Sequence, residues 1–342
     1  MNYIYQEIHT QFDALETTQK YIDTKLDDLS RLISGAPLVV VGSGSSYSIA
    51  CSVAWMARVR MGSHAVAIAA GDLLLHMDEY RPILEGCTLI VLSRSGETSE
   101  IVISIQNMKK AGIHFQVVGV SCVENSTLAK LSTLMIELPW AFDQSVCQTR
   151  TITTLFFFGA YMIAKLAGDT ALTADILKAI QAGPGYFERI ETQMKEIAGL
   201  PWKRAVVLGD AELSGLCDEG ALAFKEICQI PSNYYHLLDV RHGPMVLIDT
   251  ETLVIVVLSR HDNPYELDLV RDLQKKGAVL VVYSDIETEL KDVFAVNFGE
   301  TLQAPARGIL AIVICQLISY YKSFLTKVDP DAPDGLAPWI KL

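Results

Sequence analysis

Two short stretches of the sequence are rich in serine, threonine and glycine, the residues that suit an anion-binding loop. The first is "GSGSSYS" at residues 42–48, after the apolar run "LVVV", and the second is "SRSGETS" at residues 93–99, after "LIVL". Each precedes a segment of helical length, so its backbone N–H groups fall at a helix N-terminus, where they lack intrahelical acceptors and favour negative charge. The two stretches therefore predict a phosphate-binding site.

The elements around these loops follow a repeating strand and helix pattern. Apolar, β-branched runs such as "PLVVVG", "TLIVLS" and "FQVVGVS" alternate with segments long enough to be helices. This alternation predicts an α/β fold with a parallel sheet covered by helices on both faces. Ligands of such sheets bind outside the carboxyl ends of the strands, where the strand order reverses. Residues 1–34 precede the pattern and are expected to be helical, from the spacing of their apolar residues.

The second half of the chain repeats the first. The segment "VVVGSGSSYSIACSVAWMAR" aligns with "VVLGDAELSGLCDEGALAFK", which matches Gly42 with Gly209, and "LSRSGETSE" aligns with "LSRHDNPYE". Matched strand, loop and helix units in the same order indicate a duplicated architecture. We therefore expect two doubly wound parallel-sheet domains in tandem, over residues 35–195 and 196–342.

The comparison of the two copies bears on what the loops do. The second copy has no counterpart of Ser95, Gly96 or Thr98, which both copies could have kept if these residues served only the turn. The alternative, for each loop taken alone, is that Ser95 or Thr98 caps the following helix. Two hydroxyl-rich loops at adjacent strand ends favour a ligand, held by the first copy only. A dinucleotide is not favoured, because "GSGSSY" lacks the third glycine of that motif, and no Walker A sequence follows, so we expect no cofactor.

Two residues of the second half could transfer protons. Glu226 lies in "EGALAFKEIC" among apolar residues, and partial burial would raise its pKa towards that of a useful general base. The alternative is a solvated helix face shared with Lys225. His242 lies in the turn "RHGP" and is a candidate proton shuttle. The alternative is that the histidine only satisfies hydrogen bonds of that turn. The set His236, Asp239 and His242 lacks the spacing of a zinc site, so we expect no metal.

Composition argues against several classes of function. The 40 acidic residues outnumber the 28 basic ones, for a net charge of −12, which argues against nucleic acid as a partner. The seven cysteines are scattered without CxxC pairs, as expected for reduced thiols in a cytoplasmic protein. The N-terminal sequence lacks a secretion signal pattern and the longest apolar runs are too short to span a bilayer, so no membrane association is expected.

Four motifs together resemble the tandem SIS (sugar isomerase) family, in particular the isomerase half of glutamine–fructose-6-phosphate aminotransferase and its deaminase and deglycase relatives. They are, in order, "GSGSSYS", "LSRSGETSE", "EGALAFKE" and "RHGP". The resemblance implies a phosphorylated sugar as substrate, with Glu226 as the base that moves a proton between C1 and C2. It implies that His242 opens the sugar ring and comes from the partner subunit of a homodimer with shared active sites. Ser45 and Gln148 would lie near the sugar hydroxyls. The residues implied for the 6-phosphate are Ser46, Ser93, Arg94 through its backbone, Ser95 and Thr98.

Departures from the family pattern narrow the expected reaction. Family synthases carry one lysine where this chain has Ala223 and another where it has Pro338, and Lys341 stands three residues later. Relatives carry a "ST" pair where this chain has Gln148 and Thr149. No glutaminase domain with a leading cysteine is expected. We therefore do not expect the chain to synthesise an amino sugar from glutamine.

The expected reaction is therefore degradative: aldose–ketose isomerisation and deamination of an amino-sugar 6-phosphate. The alternative is a deglycase that acts on a fructosamine 6-phosphate. A non-catalytic phosphosugar sensor, as in SIS-containing transcriptional regulators, is the alternative of another class. Residues 1–33 are too short and too acidic for the helix-turn-helix of such a regulator.

Overall fold

The computed structural model describes residues 2–337. These residues form two compact units: residues 10–174, here the N-terminal unit, and residues 2–9 with 175–336, here the C-terminal unit. The division at residue 174 falls within a long helix, Thr170–Gly199, and so does residue 195, at which the predicted domain ranges meet. The predicted ranges therefore differ in extent from the two units.

Helices and strands alternate along most of the chain, after three helices at the start. The helices are α1 Tyr3–His9, α2 Gln11–Asp23, α3 Leu26–Ile33, α4 Ser45–Met61, α5 Ala70–Leu75, α6 Met77–Leu84, α7 Ser99–Lys110, α8 Thr127–Leu131, α9 Arg150–Leu166, α10 Thr170–Gly199, α11 Ser214–Ile227, α12 Pro264–Lys275 and α13 Ala304–Thr326. The strands are β1 Leu38–Gly42, β2 Ala65–Ala69, β3 Cys87–Ser93, β4 Phe115–Ser121, β5 Leu134–Glu137, β6 Arg204–Leu208, β7 Ser232–Tyr235, β8 Thr252–Val257, β9 Val279–Ser284 and β10 Phe294–Asn297.

Each unit contains one five-stranded sheet in which all neighbouring strands pair in parallel. The strand order is β2-β1-β3-β4-β5 in the N-terminal unit and β10-β9-β8-β6-β7 in the C-terminal unit. Helices flank both sheets, so the predicted α/β fold class with two parallel sheets is confirmed. The order reverses between β1 and β3 in the first sheet and between β6 and β8 in the second, which are the positions where such sheets bind ligands.

The central strands are continuous apolar runs because both of their faces are covered. All residues of β1 and of β3 are buried. Their side chains pack with Ile101, Ile105 and Met108 of α7 in one hydrophobic cluster. Buried parallel strands of this kind lack the alternation of a half-exposed strand, and this explains why the runs were readable in the sequence.

Helix α4, which follows the first hydroxyl-rich loop, lies between β1 and α9. Gly159 of α9 allows a close approach, because a Cβ at that position would lie 2.3 Å from Cγ2 of Val53 on α4. The absence of a side chain at residue 159 therefore helps to set where α4, and the loop before it, lies against the sheet.

One helix among residues 2–337, α13, is long and apolar enough to cross a membrane by length and composition. However, 83% of its most apolar window is buried inside the protein. The helix packs against α11 and α1 of the same unit. This burial is typical of the central helix of a soluble fold, and the helix is weak evidence for a membrane span. None of the seven cysteines forms a disulfide, and all of them except Cys51 are buried.

Candidate functional site

The first hydroxyl-rich loop turns sharply from β1 into α4. A Cβ at Gly42 would lie 2.4 Å from the backbone C and O atoms of Ser46, so only glycine permits this turn. Gly44, with φ of 53°, stands at the N-cap of α4 and has no side chain with which to cap it. Ser45 and Ser46 are each 4% exposed in the first turn of the helix. The hydroxyl of Ser43 is buried and has no hydrogen-bond partner within residues 2–337.

The second loop brings hydroxyl groups together between β3 and α7. The Oγ of Ser93 lies 3.3 Å from the Oγ1 of Thr98 and accepts a hydrogen bond from the N–H of Gly96 at 3.0 Å. Gly96 has φ of +66°, and a Cβ there would lie 2.3 Å from the Oγ of Ser126. Ser95 accepts a hydrogen bond from the N–H of Glu97 through its Oγ. The loop thus needs glycine at residue 96 to fold these hydroxyls together.

The helix-cap alternative for this loop is only partly met. Thr98 does stand at the N-cap position of α7, but its side chain makes no capping hydrogen bond, and its hydroxyl faces Ser93 instead. A Thr N-cap ordinarily accepts from a backbone N–H two or three residues later. Thr98 therefore occupies the N-cap position without capping the helix through its side chain.

Both loops lie at the same edge of the N-terminal sheet. Strands β1 and β3 are paired in parallel, with Val41 opposite Val91, so the two loops leave neighbouring strands at their carboxyl ends. This edge is where the strand order reverses. The position matches the one expected for a ligand from the sequence. Four of the five residues predicted to bind phosphate, Ser93, Arg94, Ser95 and Thr98, lie in the second loop, and Ser46 lies in the first.

The side chain of Arg94 does not face the hydroxyl groups of its own loop. Its Nη1 donates to the carbonyl oxygens of Ser145 and Val146, at 3.0 and 2.9 Å, and the residue is 6% exposed. The carbonyl of Arg94 accepts a hydrogen bond from Cys122. The guanidinium group is therefore used inside the protein.

The segment contacted by Arg94 contains Gln148 and is called here the Gln148 loop, residues 143–149. Oδ2 of Asp143 accepts hydrogen bonds from the backbone N–H groups of Thr149 and Thr151, at 2.8 and 2.9 Å. These bonds fix the loop to the start of α9. The Oε1 of Gln148 is buried and has no hydrogen-bond partner in the described part of the chain.

Glu226 and His242 both belong to the C-terminal unit. Glu226 lies in the last turn of α11, half-buried beside the fully buried Phe224 and Ile227. His242 is exposed and follows the short 3-10 turn Asp239–Arg241, with its backbone N–H bonded to the carbonyl of Asp239. The turn predicted around His242 is thus present.

In the C-terminal unit a carboxylate occupies the loop after β8, which corresponds to the loop between β3 and α7. Glu266, 5% exposed, accepts hydrogen bonds from the backbone N–H of Ser259 at 2.7 Å, from the Ser259 hydroxyl and from Nδ2 of Asn263 at 3.0 Å. Burial raises the pKa of the Glu266 carboxyl. Ser259 is the counterpart of Ser93, so the donors of the second copy are satisfied within the protein.

Sequence reasoning missed two residues that build these loops: Asp143 and Glu266. Asp143 bonds to N–H groups six and eight residues later, outside the spacing of a helix N-cap, so no motif marked it. Glu266 was part of the aligned second copy, and its buried carboxylate could have been suspected from the loss of the glycine and hydroxyls there. No three or more His, Cys, Asp or Glu residues within residues 2–337 are grouped so that they could hold a metal ion.

A large surface groove of the N-terminal unit lies away from the hydroxyl loops. It encloses about 460 Å³ and is lined by residues that include Arg31, Thr88, Lys109 and His114. Thr88 and Phe115 stand at the starts of β3 and β4, so the groove is at the amino edge of the sheet. Its residues are not those predicted to bind a ligand.

Comparison with known proteins agrees with the repeat. A family model described as the SIS domain matches residues 32–164 and 200–286. The isomerizing glutamine–fructose-6-phosphate aminotransferase of Yersinia pseudotuberculosis is 27% identical over 362 residues, covering 98% of this chain and 58% of that protein. The same enzyme of Escherichia coli K12 is 27% identical over 264 residues, covering 73% of this chain and 43% of that protein. The chain thus spans less than two thirds of the length of these relatives.

Solved structures share the fold of the whole chain. Glucosamine-6-phosphate deaminase from Thermotoga maritima superposes with a TM-score of 0.83 at 24% identity, covering 99% of this chain and 100% of that one. Tagatose-6-phosphate ketose/aldose isomerase from Escherichia coli gives a TM-score of 0.81 at 23% identity, covering 99% of this chain and 97% of that one. At these identities the likeness concerns the fold alone.

Proposed function

The chain belongs to the SIS-domain family, and from this premise we propose that it converts an amino-sugar 6-phosphate by aldose–ketose isomerisation and loss of the amino group. The observation that carries the proposal is the convergence of Ser93, Gly96 and Thr98 at the carboxyl edge of the first sheet, beside the loop of Ser45 and Ser46. Relatives named for fructose 6-phosphate and glucosamine 6-phosphate support a phosphorylated sugar as the ligand.

The phosphate is held by neutral donors in this proposal. Hydroxyls of Ser46, Ser93, Ser95 and Thr98 and the backbone of Arg94 donate to its oxygens, at the N-termini of α4 and α7, where the helix dipole favours an anion. The chain carries a net charge of −12, so affinity for the anion comes from these local donors rather than from a basic surface. Ser45 and Gln148 bind the sugar hydroxyls.

Glu226 moves the proton. In the open-chain sugar, Glu226 takes the proton from C2 and returns it to C1, which converts the C2 amine into an imine. Water then adds to C2 and ammonia leaves, giving a ketose 6-phosphate. The half-buried position of Glu226, next to Phe224 and Ile227, supports this role because a partly desolvated carboxylate is a stronger base.

His242 opens the sugar ring, and we propose that it does so in the active site of a partner subunit. The side chains of Val246 and Leu247, just after the "RHGP" turn, are 78% and 64% exposed. Large apolar side chains exposed beside a functional turn suit a surface that another copy of the chain covers. They support a homodimer that shares its active sites.

A deglycase acting on a fructosamine 6-phosphate is the second candidate. The proton then moves from C1 to C2, and water releases the amino acid from C1. Ala223, buried on α11, stands where family synthases carry a lysine, so the amine of that lysine is missing. This change suits either degradative reaction. Pro338 and Lys341 lie outside the described residues. The free cysteines support a reducing, cytoplasmic location.

A substrate panel tests the proposal. The purified chain is incubated with 6-phosphorylated amino sugars and fructosamines, and ammonia, amino acids and ketose 6-phosphates are measured. We expect ammonia from an amino-sugar 6-phosphate and none from its unphosphorylated analogue. Release of an amino acid from a fructosamine 6-phosphate alone would establish the deglycase instead. Binding without any product would contradict both and would indicate a phosphosugar sensor.

A further inference from the structure

Arg94 joins two loops that are far apart in sequence. Its backbone belongs to the loop between β3 and α7, and its guanidinium donates to the carbonyls of Ser145 and Val146, about fifty residues later. The two bonds come from one nitrogen, so the group lies close to both peptide units. The residue is almost completely buried, and a buried guanidinium needs such acceptors because it has lost its water.

The Gln148 loop is held from its other side as well. Asp143 accepts from the N–H groups of Thr149 and Thr151, and the Oγ of Ser145 donates to the carbonyl of Cys147 at 2.8 Å. The charges of Arg94, Asp143 and Arg150 all act on the buried thiol of Cys122. Burial raises the pKa of Cys122 to about 12, so the thiol stays neutral.

The loop that is held in this way carries Gln148. Its Oε1 is a buried acceptor without a hydrogen-bond partner among residues 2–337. An unpaired buried acceptor is destabilising, and buried polar atoms are seldom left so without a reason. Its chemistry fits a donor on the ligand, either a hydroxyl or an ammonium group.

We propose that Arg94 is a positioning residue: its guanidinium fixes the Gln148 loop to the phosphate-binding loop, so that Gln148 accepts a hydrogen bond from a hydroxyl or ammonium group of the substrate. This inference rests on the proposed function, because it assigns the two ends of one phosphosugar to the two loops. The backbone of Arg94 faces the phosphate, and its side chain sets the acceptor for the rest of the sugar.

The first measurement separates the two ends of the ligand. Arg94→Met removes the guanidinium and keeps the backbone. We expect the Kd of inorganic phosphate to change by less than about threefold, while kcat/KM for the phosphosugar falls by about 10- to 100-fold, the usual loss for a hydrogen bond to a charged group. Arg94→Lys, which can reach one carbonyl, is expected to restore part of the activity. A loss of phosphate affinity as large as that of Ser93→Ala would overturn the proposal.

The second measurement is a double-mutant cycle with Gln148→Met. If Arg94 acts through Gln148, the double variant loses little more than Gln148→Met alone, whereas independent residues give additive losses. Arg307→Met is the matched control, because Arg307 also donates to two successive carbonyls of the C-terminal unit, from Nη1 to Leu258 and from Nη2 to Ser259. We expect the loss of kcat/KM caused by Arg307→Met to add to the loss caused by Gln148→Met. Additivity in the Arg94 cycle would refute the coupling.

Hydrogen exchange tests, without any substrate, whether Arg94 holds the Gln148 loop in place. Peptides that cover residues 145–149 are expected to exchange faster in Arg94→Met than in wild type, and not in Arg307→Met. Unchanged exchange there would contradict the positioning role. If the wild-type protein converts no phosphosugar, the proposed function fails, but phosphate binding and exchange still decide whether Arg94 holds the Gln148 loop.

Discussion

The carboxylate of Glu266 accepts hydrogen bonds from both the backbone N–H and the hydroxyl of Ser259. In the N-terminal unit the matching serine, Ser93, instead faces the hydroxyl of Thr98 and the N–H of Gly96. The two copies of the fold thus use the same strand end in different ways. In one copy a protein carboxylate binds the serine, and in the other the serine contacts a hydroxyl and an N–H group of its own loop.

Removal of Glu266 is expected to create an anion site in the C-terminal unit. In Glu266→Ala the donors of Ser259 lose their acceptor, and the free energy of unfolding should fall by about 2–3 kcal/mol. Formate or phosphate should then raise the Tm of the variant more than chloride does at equal ionic strength, because an anion that binds only the folded state stabilises it.

The control for this experiment is Glu287→Ala, which removes an exposed carboxylate from the same unit. Neither this variant nor wild type should show an anion-specific rise in Tm. If formate and chloride act equally on Glu266→Ala, the Ser259 donors do not form an anion site.

Loss of the hydroxyls in the N-terminal unit should weaken phosphate binding selectively. The variant Ser93→Ala with Thr98→Ala removes two donors, and we expect the Kd of a 6-phosphosugar to rise by about 10- to 100-fold. The Kd of the unphosphorylated analogue should stay within about threefold, as measured by calorimetry. Ser259→Ala, which changes the counterpart of Ser93 in the other copy, should leave both constants unchanged. Equal effects on the two ligands would show that these hydroxyls do not bind the phosphate.

Much of the fold was readable because its central strands are continuous apolar runs that occur twice in the same order. The loops at the carboxyl edge followed from the rule for open parallel sheets, and Gly42 and Gly96 mark turns that the structure shows to require glycine. The sequence did not predict that the first helix, α1, belongs to the C-terminal unit. Tyr5 of α1 donates to Glu191 of α10, a contact between residues far apart in sequence.

The direction in which a buried polar side chain points could not be predicted from the sequence either. Nothing near Arg94 in the sequence shows that its guanidinium bonds to Ser145 and Val146, because the partners are carbonyls and every residue has one. Likewise, Glu266 could be aligned with Glu100, but only the fold shows that its carboxylate turns back onto Ser259. Motifs report residue types, whereas such roles depend on long-range packing.

Glu226→Gln is expected to abolish turnover while substrate binding persists. The amide keeps the shape of the side chain but cannot take a proton, so kcat should fall by about 10²- to 10⁴-fold, the usual contribution of a general base. The Kd of the phosphosugar, measured by equilibrium binding, should change by less than about threefold. Glu196→Gln, an exposed position on α10, is the control and should keep full activity. A Glu226→Gln variant with wild-type kcat would exclude Glu226 as the base.

Gly42→Ala should disrupt the first loop although it adds only a methyl group. The new Cβ would lie 2.4 Å from backbone atoms of Ser46, which cannot give way as a flexible side chain could. We expect the free energy of unfolding to fall by about 2–4 kcal/mol, and the affinity for a 6-phosphosugar to fall with it, because the start of α4 must shift. Gly71→Ala is the matched control, since no atom lies within 4 Å of its Cβ, and its stability should change by less than about 1 kcal/mol. Urea unfolding and phosphosugar titration of the two variants give the comparison. If Gly42→Ala is as stable as Gly71→Ala and binds the ligand normally, the turn from β1 into α4 does not position the first hydroxyl-rich loop for binding.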